Sequence, residues 1–110
     1  MKIEPNTYLV ALGFEPLPKK AEMTGWKTES VTDKQKALLE KYGVAYAHIY
    51  YKGQASMLIS IITKRMNEHM ATPKQIQMLL SKGYASGHIK RLTMKGASKI
   101  INELLVAESE

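Results

Sequence analysis

The chain has no cysteine, and only one tryptophan and one phenylalanine among its 110 residues. Without cysteine neither a disulfide framework nor a thiolate metal site can form. That suits a reducing compartment, and the expected location is the cytoplasm. Long apolar runs are also missing. Met57-Leu58-Ile59 and Ile61-Ile62 are split by Ser60, far short of the ~20 apolar residues that a bilayer-spanning helix needs. Met1-Lys2-Ile3-Glu4-Pro5 carries charge and a proline, with no apolar signal core behind it. No membrane partner is expected.

Acidic residues are scarce in the middle of the chain. Between residues 31 and 99 only Asp33, Glu40 and Glu68 occur, so paired carboxylates for acid–base work have little to draw on. His48, His69 and His88 show neither an HxxxH nor an HExxH spacing, the arrangements that place zinc ligands on one helix face. No glycine-rich phosphate loop precedes a Lys-Ser or Lys-Thr pair. The expectation is a protein that is not an enzyme, with no catalytic residues, metal or cofactor.

What the chain does have is an internal repeat. Thr32, Lys34, Gln35, Leu39, Gly43, Ala45, His48 and Ile49 recur forty residues later as Thr72, Lys74, Gln75, Leu79, Gly83, Ala85, His88 and Ile89. After a two-residue insertion, Ala55, Ser56 and Ile59 recur as Ala97, Ser98 and Ile101. A period near forty residues marks a supersecondary unit that cannot bury its apolar face alone and stacks on a neighbour. Thr32 with Gln35 and Thr72 with Gln75 have the spacing of capping boxes. Gly43 and Gly83 stand where a helix stops. Residues 53–68 and those after Thr93 carry longer apolar helical stripes, the second with Ala97, Ile100, Ile101, Leu104 and Leu105 inward and fraying near Ala107.

The predicted fold is all-α: a small bundle of two tandem helix–turn–helix repeats, residues 31–69 and 71–107, within a domain spanning 31–110. Residues 1–30 are expected to form a short helix over 5–13, capped by Asn6, and a linker pinned onto the repeats by Phe14 and Trp26. The repeat connectors, 44–51 and 84–92, are read as turns because the second is poor in strand formers. His48 and His88 are expected each to bond a backbone carbonyl in its own connector, a shared site between them being the alternative.

Charge gives the functional lead. The formal net charge is +6. Residues 1–30 hold four lysines against four glutamates, whereas residues 31–99 hold twelve Lys or Arg against three acids. Such a surplus attracts polyanions. Lys34, Lys74 and Lys95 fall at the second position of their helices, where a cation opposes the helix dipole by roughly 0.3–1 kcal/mol. An anion landing on free amides, a cap hydroxyl and a lysine would reverse that cost. Lys36, Lys41, Lys82, Lys90, Arg91 and Lys99 extend the candidate track. Tyr42, Tyr46, Tyr50, Tyr51 and Tyr84 lie among these cations, where rings either stack unpaired bases or pack in the core.

The spacing Thr-x-Lys-Gln, then leucine, then glycine, then Leu92-Thr93-Met94-Lys95-Gly96-Ala97-Ser98 resembles a small tail module appended to bacterial and phage superfamily-2 helicases and other DNA-processing proteins. It is more loosely similar to the SAP type of DNA-binding motif. The resemblance covers residues 31–105 and departs in the first copy, where Tyr50-Tyr51 replaces Leu-Thr. It implies an accessory, non-motor role near DNA, alongside or within a larger DNA-processing protein. The expected function is non-specific nucleic-acid binding through phosphates, DNA ahead of RNA. The rival expectation is a protein-interaction or oligomerisation module in which the charge serves solubility.

Overall fold

A computed structural model describes residues 2–84 and 86–109, which form five α-helices: α1 Pro5–Ala11, α2 Asp33–Lys41, α3 Lys52–Asn67, α4 Pro73–Ser81 and α5 Met94–Ser109. Three 3-10 segments, Lys20–Glu22, Gly25–Thr28 and Ser86–Arg91, lie between them. Among the described residues there is no strand, only isolated bridges such as Ser30 with Tyr51 and Met70 with Thr93. The fold is all-α.

Local chemistry explains the starts and stops. The Gln35 amide donates to Thr32 Oγ1 at 3.1 Å, and the Thr32 amide donates to Gln35 Oε1 at 3.0 Å. Thr72 and Gln75 make the same two bonds at the same distances. A cap of this kind contributes about 1 kcal/mol. At the other end Gly43 and Gly83 adopt φ of 80° and 78°. The next amides, of Val44 and Tyr84, then donate back to the carbonyls of Leu39 and Leu79, both at 3.0 Å. This six-to-one closure ends a helix on the carbonyl of a leucine two residues before its end, and that leucine packs inward. Helix α1 stops the same way, through Gly13 at φ 84° and a 2.9 Å bond from the Phe14 amide to the Leu9 carbonyl. Leu9, Leu39 and Leu79 are all fully buried.

The return of the chain brings helix starts together. The Val31 amide donates to Tyr50 O, and the Lys52 amide to Glu29 O, at 2.9 and 2.8 Å. Ala71 to Leu92 O and Met94 to His69 O repeat this at 2.9 Å each. The capping-box glutamines tie the starts further, Gln35 Nε2 donating to Lys52 O and Gln75 Nε2 to Met94 O. An ion pair of 2.7 Å between Lys82 and Glu108 joins the far ends of α4 and α5. Those two helices therefore run side by side in the same sense from a shared start, and α2 and α3 share a start of the same kind. Each shared start forms a joint, one between α2 and α3 and one between α4 and α5.

The core is continuous along the molecule. Ile3, Tyr8 and Leu9 pack in the same cluster as Leu39, Val44, Ile49, Leu58, Ile62, Ile76, Leu79, Ile89 and Ala97. Full burial of each large side chain contributes roughly 1.5–3 kcal/mol. Ile3 also bridges to the chain after α2, its amide donating to Gly43 O at 3.0 Å and its carbonyl accepting from Ala45 at 2.9 Å.

Four local expectations change. Asn6 does not cap α1; Pro5 opens the helix behind Glu4, and Asn6 Oδ1 accepts instead from the Leu17 amide at 2.9 Å. Phe14 and Trp26 do not pin the linker, being 47% and 53% exposed. Met23 and Lys27 do so, packed over Gly53, while Gln54 Nε2 donates to Pro18 O at 2.9 Å. Leu105 faces solvent, because α5 has 16 residues against nine in α4 and its last turns outrun their neighbour. For the same helix, the described structure continues through Ser109 rather than fraying near Ala107.

Candidate nucleic-acid interface

The two joints are built alike and finished differently. At the α2–α3 joint the second residue of α3 is Gly53, and the 3-10 segment Gly25–Thr28 lies on it. A Cβ at Gly53 would stand 2.6 Å from Met23 Sδ, 2.7 Å from Lys27 Cβ and 3.1 Å from the Lys27 carbonyl oxygen. Glycine is required there by close approach. The same cover places Glu29 on Lys52 at 2.8 Å and Lys20 Nζ 5.8 Å from the Tyr51 ring centroid.

At the α4–α5 joint the residue in the place of Gly53 is Lys95, which is exposed. An open cavity of about 690 Å³ lies here, lined by His69, Gln75, Thr93, Met94, Lys95 and Ser98. Lys99 follows Lys95 by one turn, on the same stripe of α5. The helix start is partly satisfied internally: Met94 donates to His69 O, and Gly96 donates to Thr93 Oγ1 at 3.0 Å. An intrahelical partner is impossible for the amide between them, that of Lys95. This joint therefore offers one backbone donor, two lysines and the Ser98 hydroxyl to an anion.

The nine candidate cations fall into different surroundings. Lys34 and Lys41 are exposed, two turns apart on one stripe of α2, and Asp33 offsets Lys34 at the helix start. Lys36 is partly buried in a cleft with Tyr46 and Tyr50. Lys74 folds back over Gly43, whose Cβ would lie 2.6 Å from Lys74 Cγ. Its charge thus serves the C-terminal end of α2, which favours a cation, and its place in the first turn of α4 needs no ligand to explain it. Lys90 lies in the same way against Gly13 at the end of α1, its Cδ and Nζ at 3.9 and 4.0 Å from a Cβ there. Lys82 is taken up by Glu108. Arg91, Lys95 and Lys99 remain exposed.

Two cations missing from the sequence reading belong with Lys90 and Arg91. Lys64 and Arg65, in the last turn of α3, line one cleft with them. The sequence signal was there, but a basic last turn reads equally well as dipole compensation. Arg65 Nη1 donates to Lys90 O at 3.1 Å, and its guanidinium lies beside the buried Tyr8 hydroxyl. Burial pushes the Tyr8 pKa up to about 12, and the neighbouring Arg65 charge offsets part of that rise. At the surface, Lys2 bonds Glu40 and holds its carboxyl below the usual range.

The histidines differ from expectation. His48 Nδ1 lies 3.3 Å from the Tyr50 hydroxyl rather than against a backbone carbonyl, and both His48 and His88 are exposed. Among the described residues no group of three or more His, Cys, Asp or Glu is arranged to hold a metal ion, and no helix is long and apolar enough to cross a membrane. The repeat partner of Ala45, Ala85, lies outside the described residues. No protein-family model matches the chain, and comparison with curated proteins and with solved structures gives no significant match.

Proposed function

We propose that this chain is a nucleic-acid-binding accessory domain that grips backbone phosphates without reading sequence. In this reading residues 31–69 and 71–107 are tandem helix–return–helix units. The observation that carries it is the open α4–α5 joint: Lys95 occupies the place that the other joint gives to a covered glycine, with Lys99 one turn on and a cavity of about 690 Å³ beside them. Lys34 and Lys41 add an exposed cationic stripe on α2. Base edges need side chains presented to a groove in register, whereas these lysines are suited to point contacts with phosphate. DNA is the preferred polymer and a larger DNA-processing protein the preferred setting, both on the resemblance of residues 31–105 to helicase tail modules.

The test is a salt titration of binding to a short duplex and to a single strand. Four phosphates neutralised by Lys34, Lys41, Lys95 and Lys99 give a log–log slope of roughly −3 to −4 for duplex DNA. Absence of binding at ~50 mM salt, where this electrostatic contribution is large, overturns the reading.

A protein-interaction role has one observation in its favour. Val10 is 58% exposed beside an apolar cavity formed with Ala11 and Leu80, and Leu105 projects from the overhanging end of α5. Sedimentation showing a concentration-dependent dimer that a Val10→Asp/Leu105→Asp variant abolishes would shift the assignment to that role.

A further inference from the structure

The cleft between the end of α1, the last turn of α3 and the 3-10 segment Ser86–Arg91 holds an unusual balance of charge. Lys64, Arg65, Lys90 and Arg91 line it, against the single carboxylate of Glu68. The described ion pairs are Lys2–Glu40, Lys52–Glu29 and Lys82–Glu108, all elsewhere. Glu68 forms no ion pair among the described residues. Arg65 is mostly buried, and its Nε and Nη2 are inaccessible to water and have no hydrogen-bond partner among the described residues. A guanidinium withdrawn from water is ordinarily matched by a carboxylate or another anion. The polar neighbours of Arg65 are the Lys90 carbonyl and the Tyr8 hydroxyl, both uncharged, and it forms no ion pair among the described residues. The volume is about 340 Å³, within the range of small-ligand sites. Phe14, 47% exposed, forms part of its wall.

We propose that this cleft is a phosphate-ester site: Lys64, Lys90 and Arg91 hold the phosphate, Arg65 supplies fixed positive charge from the wall, and Phe14 offers a ring face to a nucleobase. The warrant is electrostatic and geometric. Four cations from two elements converge around the single carboxylate of Glu68, none of them in an ion pair among the described residues, and an exposed aromatic stands at the rim. A ring face accepts any base by stacking, and arginine takes a phosphate in a bidentate fork. Glu68 opposes the anion and sets a preference for ligands whose phosphate lies toward Lys90 and Arg91. The proposal does not depend on the nucleic-acid reading of the α4–α5 joint, because the ester can come from a free nucleotide or from a strand.

Calorimetric titration of the full chain with pyrophosphate, a nucleoside triphosphate and a short single-stranded oligonucleotide tests it. Lys64→Gln/Arg91→Gln is expected to weaken triphosphate binding about a hundredfold, the loss of two charge-assisted contacts. Lys19→Gln/Lys27→Gln, with the same change in net charge and outside both proposed phosphate contacts, is expected to leave it unchanged. Equal weakening by both variants means diffuse attraction and overturns the site, as does absence of triphosphate and pyrophosphate binding. Triphosphate binding without oligonucleotide binding keeps the cleft and removes the nucleic-acid reading. Oligonucleotide binding that ignores Lys64 and Arg91 does the reverse. Backbone amide shifts of the unaltered protein give a second readout that needs no variant: perturbation by triphosphate centred on Phe14, Lys90 and Arg91 supports the site, and perturbation centred elsewhere overturns it.

Discussion

The two joints share a plan and differ in what lies on top of them. Both begin with a Thr–Gln capping box, both tie that glutamine to the start of the next helix, and both route the preceding carbonyl to the next helix's first amide. The α2–α3 joint is then closed by residues 18–29, which set Pro18 on Gln54, Met23 and Lys27 on Gly53, and Glu29 on Lys52. In the α4–α5 joint, position by position, Lys52-Gly53-Gln54 becomes Met94-Lys95-Gly96, and nothing comparable among the described residues covers it. Where the chain packs against itself, glycine and a neutralised lysine suffice. Where it leaves the surface open, an exposed lysine projects. The lesson is that one backbone frame carries two different outer surfaces, and the difference is concentrated in three residues.

The largest expected effect tests whether the frames are equivalent. Leu39→Ala and Leu79→Ala each remove a fully buried side chain at the helix-closing position, with an expected cost of about 2–5 kcal/mol apiece. Chemical denaturation giving a large loss for one and almost none for the other would break the equivalence. Gly53→Lys copies the open joint onto the closed one. Its Cβ meets Met23 and the Lys27 backbone, so the cover must lift, at an expected 1–3 kcal/mol. Unchanged stability on chemical denaturation would show that the cover was not packed on Gly53.

A third outcome concerns α1, which shares the glycine closure but has no capping box. Tyr8 titrates at about 12 in the folded chain and near 10 when unfolded. Between those values the unfolded chain has released a proton that the folded chain keeps, so stability is intact below pH ~10 and falls as pH rises toward ~12. The loss is on the order of 2 kcal/mol. Tyr8→Phe removes that slope, and, since it also removes the hydroxyl beside the Arg65 guanidinium, lowers neutral-pH stability by about 1 kcal/mol. Alkaline unfolding curves of the two proteins check this. Smaller still are Thr32→Ala and Thr72→Ala, about 1 kcal/mol each. Their bonds match in length, so melting experiments should give losses of similar size.

Much of this frame was legible from residue chemistry. Thr32, Gln35, Thr72 and Gln75 declare capping boxes, and Gly43 and Gly83 declare stops, because each acts within four residues of itself. What escaped were contacts across the chain. Gly53 reads as an ordinary helix glycine until Met23 and Lys27 are seen on it. Lys74 reads as a cation of its own first turn, and only the folded chain shows its aliphatic stem lying over Gly43. Lys64 and Arg65 became relevant only when α1 and the Ser86–Arg91 segment were placed beside them. Local capping is written locally, whereas a cleft is formed by residues far apart in sequence.

The most direct test of the open-joint account is the affinity for a short DNA at ~50 mM salt, a regime of strong phosphate contacts, measured for two charge-matched variants. Lys95→Glu/Lys99→Glu reverses the open joint, and Lys19→Glu/Lys27→Glu makes the same change in net charge on the covering segment. The account predicts that the first variant loses binding while the second keeps most of it. Equal losses, or binding that survives reversal of Lys95 and Lys99, would contradict it.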